Sequence, residues 1–286
     1  ARFVRDEEVV GSNPATPTRD GAGAFALAPS SYGGGPVSIP DLRPARPDLG
    51  PVTREYVKSM RWRSVNMHTH ISLVNKYVYV EVPKAGCGTM KATLGGLEAA
   101  RKGPGLVQRV QDAPHNRINA TPFVKPFQLP SDMLEEVLTS PAYRRFAVVR
   151  DPASRVLSGY LEKIGQGLKQ SEPIVAALGI PASEITFAQF LDVIGEQPSR
   201  EQDPHWRRQA DHLGWGIVDY DDAIHLEELD VSWDRVGALT GIADLRETFY
   251  CKNSTGASAK IDEYFTAELR EKVRSIYQRD YEVLGY

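Results

Sequence analysis

Twice in this chain an apolar, β-branched stretch runs straight into a helix, and that repeated junction restricts the fold more than any other feature. Residues 76–82, "KYVYVEV", alternate and are rich in Val and Tyr, as a strand requires; after a glycine turn, residues 89–101 suit a helix with a Gly-Gly weak point. Residues 144–150, "RRFAVVR", read as a second buried strand. "DPASRVLSGYLEKI" follows, with Asp151 at an N-cap and Pro152 at the first helical position, where a missing N–H costs nothing. Strands alternating with helices predict an α/β fold with a mostly parallel sheet and helices on both faces. Ligands of such sheets bind beyond the carboxyl ends of the strands, where residues 83–89 and 150–158 fall.

Other segments fill in the domain. Asp132–Thr139 reads as a short helix, with Asp132 as N-cap and Glu135 in capping-box spacing. Phe187, Phe190, Leu191 and Ile194 have helical spacing, 223–229 reads as a strand, and 265–277 as a last amphipathic helix. Residues 1–55 are rich in Gly, Pro, Ser and Ala without periodicity and are expected to be a mobile leader; 56–286 form one domain.

Composition enters as exclusion. With 34 Lys and Arg against 37 Asp and Glu, there is no global basic field to collect nucleic acid or anionic lipid, so an anion site must be built locally. No run approaches the ~18 apolar residues of a membrane span, and no basic-then-apolar signal opens the sequence. The expected location is cytoplasmic, or the Golgi lumen if an N-terminal anchor precedes this sequence. Two cysteines, Cys87 and Cys251, exclude a disulfide framework and leave a single bridge as an option.

The first junction, "VPKAGCGTMK", is built to hold a phosphate. Gly86 and Gly88 allow close backbone approach, the helix start offers N–H groups, Thr89 adds a hydroxyl, and Lys84 supplies a point charge. A glycine turn with a solvated lysine is the plain alternative. The loop is P-loop-like, in a three-layer fold, yet its lysine precedes the glycines and Gly88-Thr89-Met90 stands where Gly-Lys-Ser would bind nucleotide and magnesium. That favours transfer chemistry with no required metal. The second junction adds Arg150 and Ser158, and two adjacent anion sites imply a doubly phosphorylated ligand; pairing of Arg150 with Asp151 or Glu162 is the structural alternative.

These residues resemble a known family. "VPKAGCGTMK" is similar to the 5'-phosphosulfate loop, and "FAVVRDPASRVLSGY" to the 3'-phosphate site, of sulfotransferases that use 3'-phosphoadenosine 5'-phosphosulfate (PAPS). The branch resembled contains carbohydrate sulfotransferases of the chondroitin, dermatan and HNK-1 type and, more distantly, heparan 2-O-sulfotransferase. "DPHWRRQ" (203–209), "LEEL" (226–229), "KNST" (252–255) and the closing "YQRDYEVLGY" fit in order, so the likeness spans about 77–286. Met90 stands where relatives often carry an aromatic residue, and the extra cysteines and membrane anchor of the secreted enzymes are absent, which favours a smaller hydroxylated acceptor.

The resemblance implies that Lys84, Ala85, Gly86, Cys87, Gly88, Thr89 and Met90 hold the 5'-phosphosulfate, that Arg150 and Ser158 hold the 3'-phosphate, and that Lys84 also stabilises the departing phosphate. The expected reaction moves the sulfuryl group in line to a hydroxyl of a saccharide or small metabolite, leaving 3',5'-ADP. A histidine, with its pKa of about 6.5, suits the base. Among six histidines, His115 alone lies between the two phosphate motifs, where related enzymes carry a base; His205 is the second candidate, as base or as orienter of the acceptor. A capped turn is the plain reading of His115. "HTH" at 68–70 lacks a third metal ligand, and the glycosylation patterns at Asn119 and Asn253 are short enough to arise by chance. A phosphotransferase with an atypical loop and a non-catalytic nucleotide-binding module remain the alternatives.

Overall fold

The computed structural model describes residues 48–115, 121–251 and 261–286. The leader through residue 47, both glycosylation patterns and "KNST" lie outside the described residues. A four-stranded sheet occupies the centre, in the order β1 (Thr69–Ser72), β2 (Tyr77–Val80), β3 (Arg144–Val149), β4 (Asp222–His225). β1 runs antiparallel to β2, whereas β2, β3 and β4 are mutually parallel. The sheet is thus mostly parallel, as the junctions require.

In chain order the helices begin with α1 (Pro51–Met60), α2 (Trp62–His68), α3 (Cys87–Ala100), α4 (Pro104–Asp112), α5 (Ser131–Thr139), α6 (Pro152–Gly159) and α7 (Glu172–Leu178). They continue with α8 (Phe187–Glu196), α9 (Gln209–Leu213), α10 (Trp233–Thr240), α11 (Leu245–Phe249), α12 (Ile261–Tyr264), α13 (Ala267–Ile276) and α14 (Gln278–Leu284). Strand alternation sorts them into layers. Val78, Val80, Ala147 and Val149 face one side and pack against Tyr56 and Met60 of α1 and Leu134 and Val137 of α5. Tyr77, Tyr79, Phe146 and Val148 face the other and meet Met90 and Leu94 of α3 and Trp233 of α10. A third cluster joins Val156 of α6, Phe190 of α8 and Val273 of α13. Fully burying one such aliphatic or aromatic side chain is worth ~1.5–3 kcal/mol, so these clusters hold the layers together.

Four details differ from the sequence reading. Residues 51–55 belong to α1 and not to a leader: Thr53 is buried, and the N–H groups of Val52 and Thr53 each donate to Glu135 at 2.9 Å. Glu135 therefore caps α1 and not its own helix, which starts at Ser131 without a side-chain cap. β4 ends at His225, and Leu226–Val231 turns into a 3₁₀ helix that returns Leu229 to the core. The final helix is split at Tyr277, whose buried hydroxyl donates to the Trp206 carbonyl. The Asp151 N-cap is as expected, accepting from the Ser154 N–H at 2.7 Å. Among the described residues no helix is long and apolar enough to cross a membrane. Cys87 and Cys251 are free thiols.

Candidate active site

β2 and β3 are parallel neighbours, so the loops leaving their carboxyl ends lie side by side. Nη1 of Arg150 donates to the Lys84 carbonyl at 3.1 Å, which joins the two strand–helix junctions directly. Gly86 adopts φ +70 and caps α3, and the first helical bond runs from the Met90 N–H to the Gly86 carbonyl at 3.1 Å. The N–H groups of Cys87 and Gly88 precede that bond, in the first turn of α3, where no backbone carbonyl of the helix accepts them. The left-handed backbone favours glycine at 86, and a Cβ there, 2.6 Å from Cδ1 of Leu226, would also have to displace that side chain. Lys84 itself holds φ +70, a left-handed conformation that is uncommon for a residue with a side chain and that clusters at ligand sites.

The Lys84 ammonium is paired with Glu162, which also binds Lys163 at 2.5 Å. Burial alone pushes the Glu162 carboxyl up, but these lysines hold it down at about 2. Glu162 and Lys163 sit in a π-helical turn, Tyr160–Ile164, closed by the Gly165 N–H on the Tyr160 carbonyl at 2.9 Å. Such wide turns insert one residue into a helix and occur often at functional sites. Gly165 makes the turn possible, since a Cβ there would lie 2.6 Å from the Leu161 carbonyl oxygen.

One guanidinium sets the frame. Arg155 of α6, fully buried, donates to the carbonyls of Pro83 at 2.9 Å, Pro204 at 2.7 Å and Arg207 at 2.7 Å. The residues directly before Lys84 and His205 thus hang from the same side chain. The Gln209 amide embraces the backbone of Arg150, accepting from its N–H at 2.9 Å and donating to its carbonyl at 2.7 Å. Asp280 of α14 fixes α9 by accepting from the Gln209 and Ala210 N–H groups, both at 2.8 Å.

His115, itself exposed, ends a polar chain that is otherwise largely buried. Nζ of Lys125 lies 3.2 Å from Nδ1 of His70, Nε2 of His70 lies 2.9 Å from Glu81, Glu81 binds Lys91 at 3.0 Å, and Lys91 lies 2.8 Å from Nδ1 of His115. Burial and Lys125 lower His70 to about 3, so that ring is neutral. Burial pushes the Glu81 carboxyl up, yet His70 and Lys91 hold it well below the usual carboxylate range. Burial and Lys91 likewise lower His115. Glu81, Cys87 and His115 bring potential ligand atoms within 4.8 Å of one another. The Lys91 ammonium is already bonded to two of them, and burial pushes the Cys87 thiol up to about 11, so the trio is a poor cation site as it stands.

His205 is arranged differently. Its Nδ1 lies 2.5 Å from Oδ1 of Asp203, and the same oxygen accepts its backbone N–H at 2.9 Å. Its carbonyl would lie 3.1 Å from a Cβ on Gly159, directly after Ser158. The charge of Lys163 acts on Asp203 on one side and on His115 on the other. The remaining expected residues fall as follows. Ala85 is buried, Thr89 is 7% exposed, and the Met90 side chain packs in the core beside Tyr79 and Leu94. Ser158, 2% exposed, has a buried hydroxyl with no hydrogen-bond partner among the described residues.

A protein-family model described as the sulfotransferase family matches residues 67–286. The chain belongs to the sulfotransferase family. No curated protein and no solved structure matches it. The matched span covers both strand–helix junctions, the π turn and both candidate histidines of this sulfotransferase, and membership supports sulfuryl transfer in general.

Several residues of the candidate site carry no motif in the sequence. Glu81 and Lys91 are lone charges in otherwise apolar stretches, "YVYVEV" and "MKATL", and that oddity is the signal that finds them: both side chains are only 10% exposed. Glu162, which the sequence offers as a partner for Arg150, pairs instead with Lys84. Near Arg150, Glu227 and Asp151 offset the burial that lowers its pKa. Arg155 carried no signal, because one arginine in an amphipathic helix looks solvated.

Proposed function

We propose that this domain moves the sulfuryl group of PAPS to a hydroxyl of an acceptor, a carbohydrate or another hydroxylated molecule, with a histidine taking the acceptor proton. The observation that supports this reading is the direct bond from Arg150 to the Lys84 carbonyl, which brings together the two loops proposed to bind anions. A ligand with phosphates at both ends of one ribose matches that arrangement better than a triphosphate, whose charges lie along one line. The unpartnered Ser158 hydroxyl also fits, since a phosphate oxygen would accept its proton.

When bound, PAPS would supply an activated sulfuryl group on a phosphate leaving group. The chain's own residues would then act on position and charge. The turn from Lys84 to Thr89 would cradle the 5' end, Arg150 and Ser158 the 3' end, and the Lys84 ammonium would meet negative charge growing on the leaving oxygen. Lys84 must first exchange Glu162 for the ligand.

The test is a thermal-shift comparison of 3',5'-ADP, 5'-AMP and ATP with magnesium at matched concentrations. Only the bisphosphate should stabilise strongly without metal, by about 2.7 kcal/mol at 100 times its dissociation constant. Equal stabilisation by 5'-AMP would remove the 3'-phosphate reading of Arg150 and Ser158. A response confined to ATP with magnesium would favour a phosphotransferase.

A further inference from the structure

The hydrogen bonds around the two candidate histidines fix where their protons are. An ammonium only donates, so Nδ1 of His115, 2.8 Å from the Lys91 Nζ, must accept with its lone pair. Lys91 also donates to the Glu81 carboxylate at 3.0 Å, so its Nζ acts as a donor on both sides. A neutral His115 then carries its proton on Nε2 and has no lone pair left for a hydroxyl proton. The rest of the chain agrees with that direction: Lys125 donates to Nδ1 of His70, and Nε2–H of His70 donates to Glu81, so one protonation pattern satisfies every contact from Lys125 to His115.

His205 has the opposite arrangement. Asp203, a carboxylate raised by burial but lowered further by His205, can only accept, so Nδ1 of His205 carries a proton and donates it. The lone pair of neutral His205 is therefore on Nε2. The ring is a quarter exposed, with a side-chain accessibility of 24%, and Arg155 ties the residue before it to the residue before Lys84.

We infer that His205, oriented by Asp203, takes the acceptor proton, and that His115 is an Nε2–H donor whose tautomer is set by the positioning residues Lys91 and Glu81. This rests on the sulfuryl-transfer reading above. In the step, the acceptor oxygen bonds to sulfur while the bond from sulfur to the 5'-phosphate oxygen breaks. The hydroxyl proton passes to Nε2 of His205, giving an imidazolium held by the Asp203 carboxylate, and the electron pair departs on the phosphate oxygen beside Lys84. The Nε2–H of His115 is left to hydrogen-bond an oxygen of the transferred group or the acceptor.

Two-bond proton–nitrogen correlation spectra of the ¹⁵N-labelled full chain at neutral pH test the assignment without any acceptor. Expected are a His115 ring protonated on Nε2 and a His205 ring protonated on Nδ1; the reverse pattern overturns the inference. Lys91→Met should release the His115 tautomer and leave that of His205 unchanged, an effect that loss of packing alone would not produce. With an acceptor in hand, His205→Ala should lower turnover by ~10²–10⁴, Asp203→Asn by less, and His115→Ala by less than His205→Ala, with affinity for 3',5'-ADP retained in all three. Near-normal turnover of His205→Ala beside an inactive His115→Ala overturns the assignment. Failure of the wild-type chain to bind 3',5'-ADP would instead remove the sulfuryl-transfer reading, while the spectra would still decide the proton positions.

Discussion

Glu162 occupies the Lys84 ammonium, the group that the proposed phosphate loop would offer to a ligand. An anion entering the loop meets a cation already neutralised and a carboxylate that repels it. Glu162→Gln should therefore tighten 3',5'-ADP binding by about 3–10-fold, equivalent to ~0.7–1.4 kcal/mol, with the gain shrinking as salt rises. Lys84→Ala should weaken binding and turnover together, since its charge serves both the bound ligand and the leaving group. Titration calorimetry of both variants against 3',5'-ADP checks this, and an unchanged affinity in Glu162→Gln would mean that the pair does not oppose the ligand.

Arg155→Met should be among the most damaging substitutions in the domain. It leaves three carbonyls without their donor, at about 1–3 kcal/mol for each one that stays buried and unsatisfied. Lysine should not rescue it, because a point charge cannot span Pro83, Pro204 and Arg207 in three directions. A lower urea midpoint with an unchanged slope is the expected result; a loss of unfolding free energy under about 1 kcal/mol would show that the loops are held by other contacts.

Acid should unfold this protein early. Burial lowers the pKa of His68, His70 and His212, His70 to about 3. A depressed folded pKa means that the unfolded chain binds more protons, so stability is fully present above the unfolded value near 6.5 and is lost as pH falls from there toward the folded values. Each such histidine contributes a slope of up to about 1.4 kcal/mol per pH unit well below pH 6.5. Urea midpoints at pH 7.5, 6.0 and 5.0 should fall progressively, and a flat profile between 7.5 and 5.0 would contradict the neutral, buried state of these rings.

Glu135→Ala should destabilise α1 by ~0.5–2 kcal/mol, the usual range for a lost cap, because it strips the acceptor from two N–H groups and from the Thr53 hydroxyl. Glu135→Gln should recover part of that, since one amide oxygen replaces two carboxylate oxygens. Melting temperatures of the three proteins check the order; an Ala variant as stable as the parent would mean that water caps the helix equally well.

The architecture was legible because it depends on periodicity. The strands at 77–80 and 144–149, the Asp151 cap and the helix through Phe187 and Ile194 all show their spacing in the sequence. Glu135 shows where such reading stops. Its capping-box spacing to Asp132 is real, but the carboxylate reaches a helix 83 residues earlier in the chain, and no local pattern encodes that distance. The site divides in the same way. Lys84, the glycines, Arg150 and Ser158 announce themselves in short motifs, whereas the roles of Lys91, Glu162 and Arg155 exist only through partners brought together by folding. By position in the sequence His115 ranks first as base and His205 second; the partners that argue for the reverse order, Lys91 and Asp203, meet them only in the fold.

The π turn at 160–164 carries one last implication. Its surplus residue advances the helix face by about 100°, the rotation between neighbouring residues at 3.6 per turn. Trimming one residue there would give a more regular helix and would swing the Glu162 and Lys163 side chains off their bearing. Gly165 protects that misregister by the side chain it lacks: a methyl group there would collide with the Leu161 carbonyl oxygen and disturb the aim of Glu162 at Lys84, from a position that carries no functional group of its own.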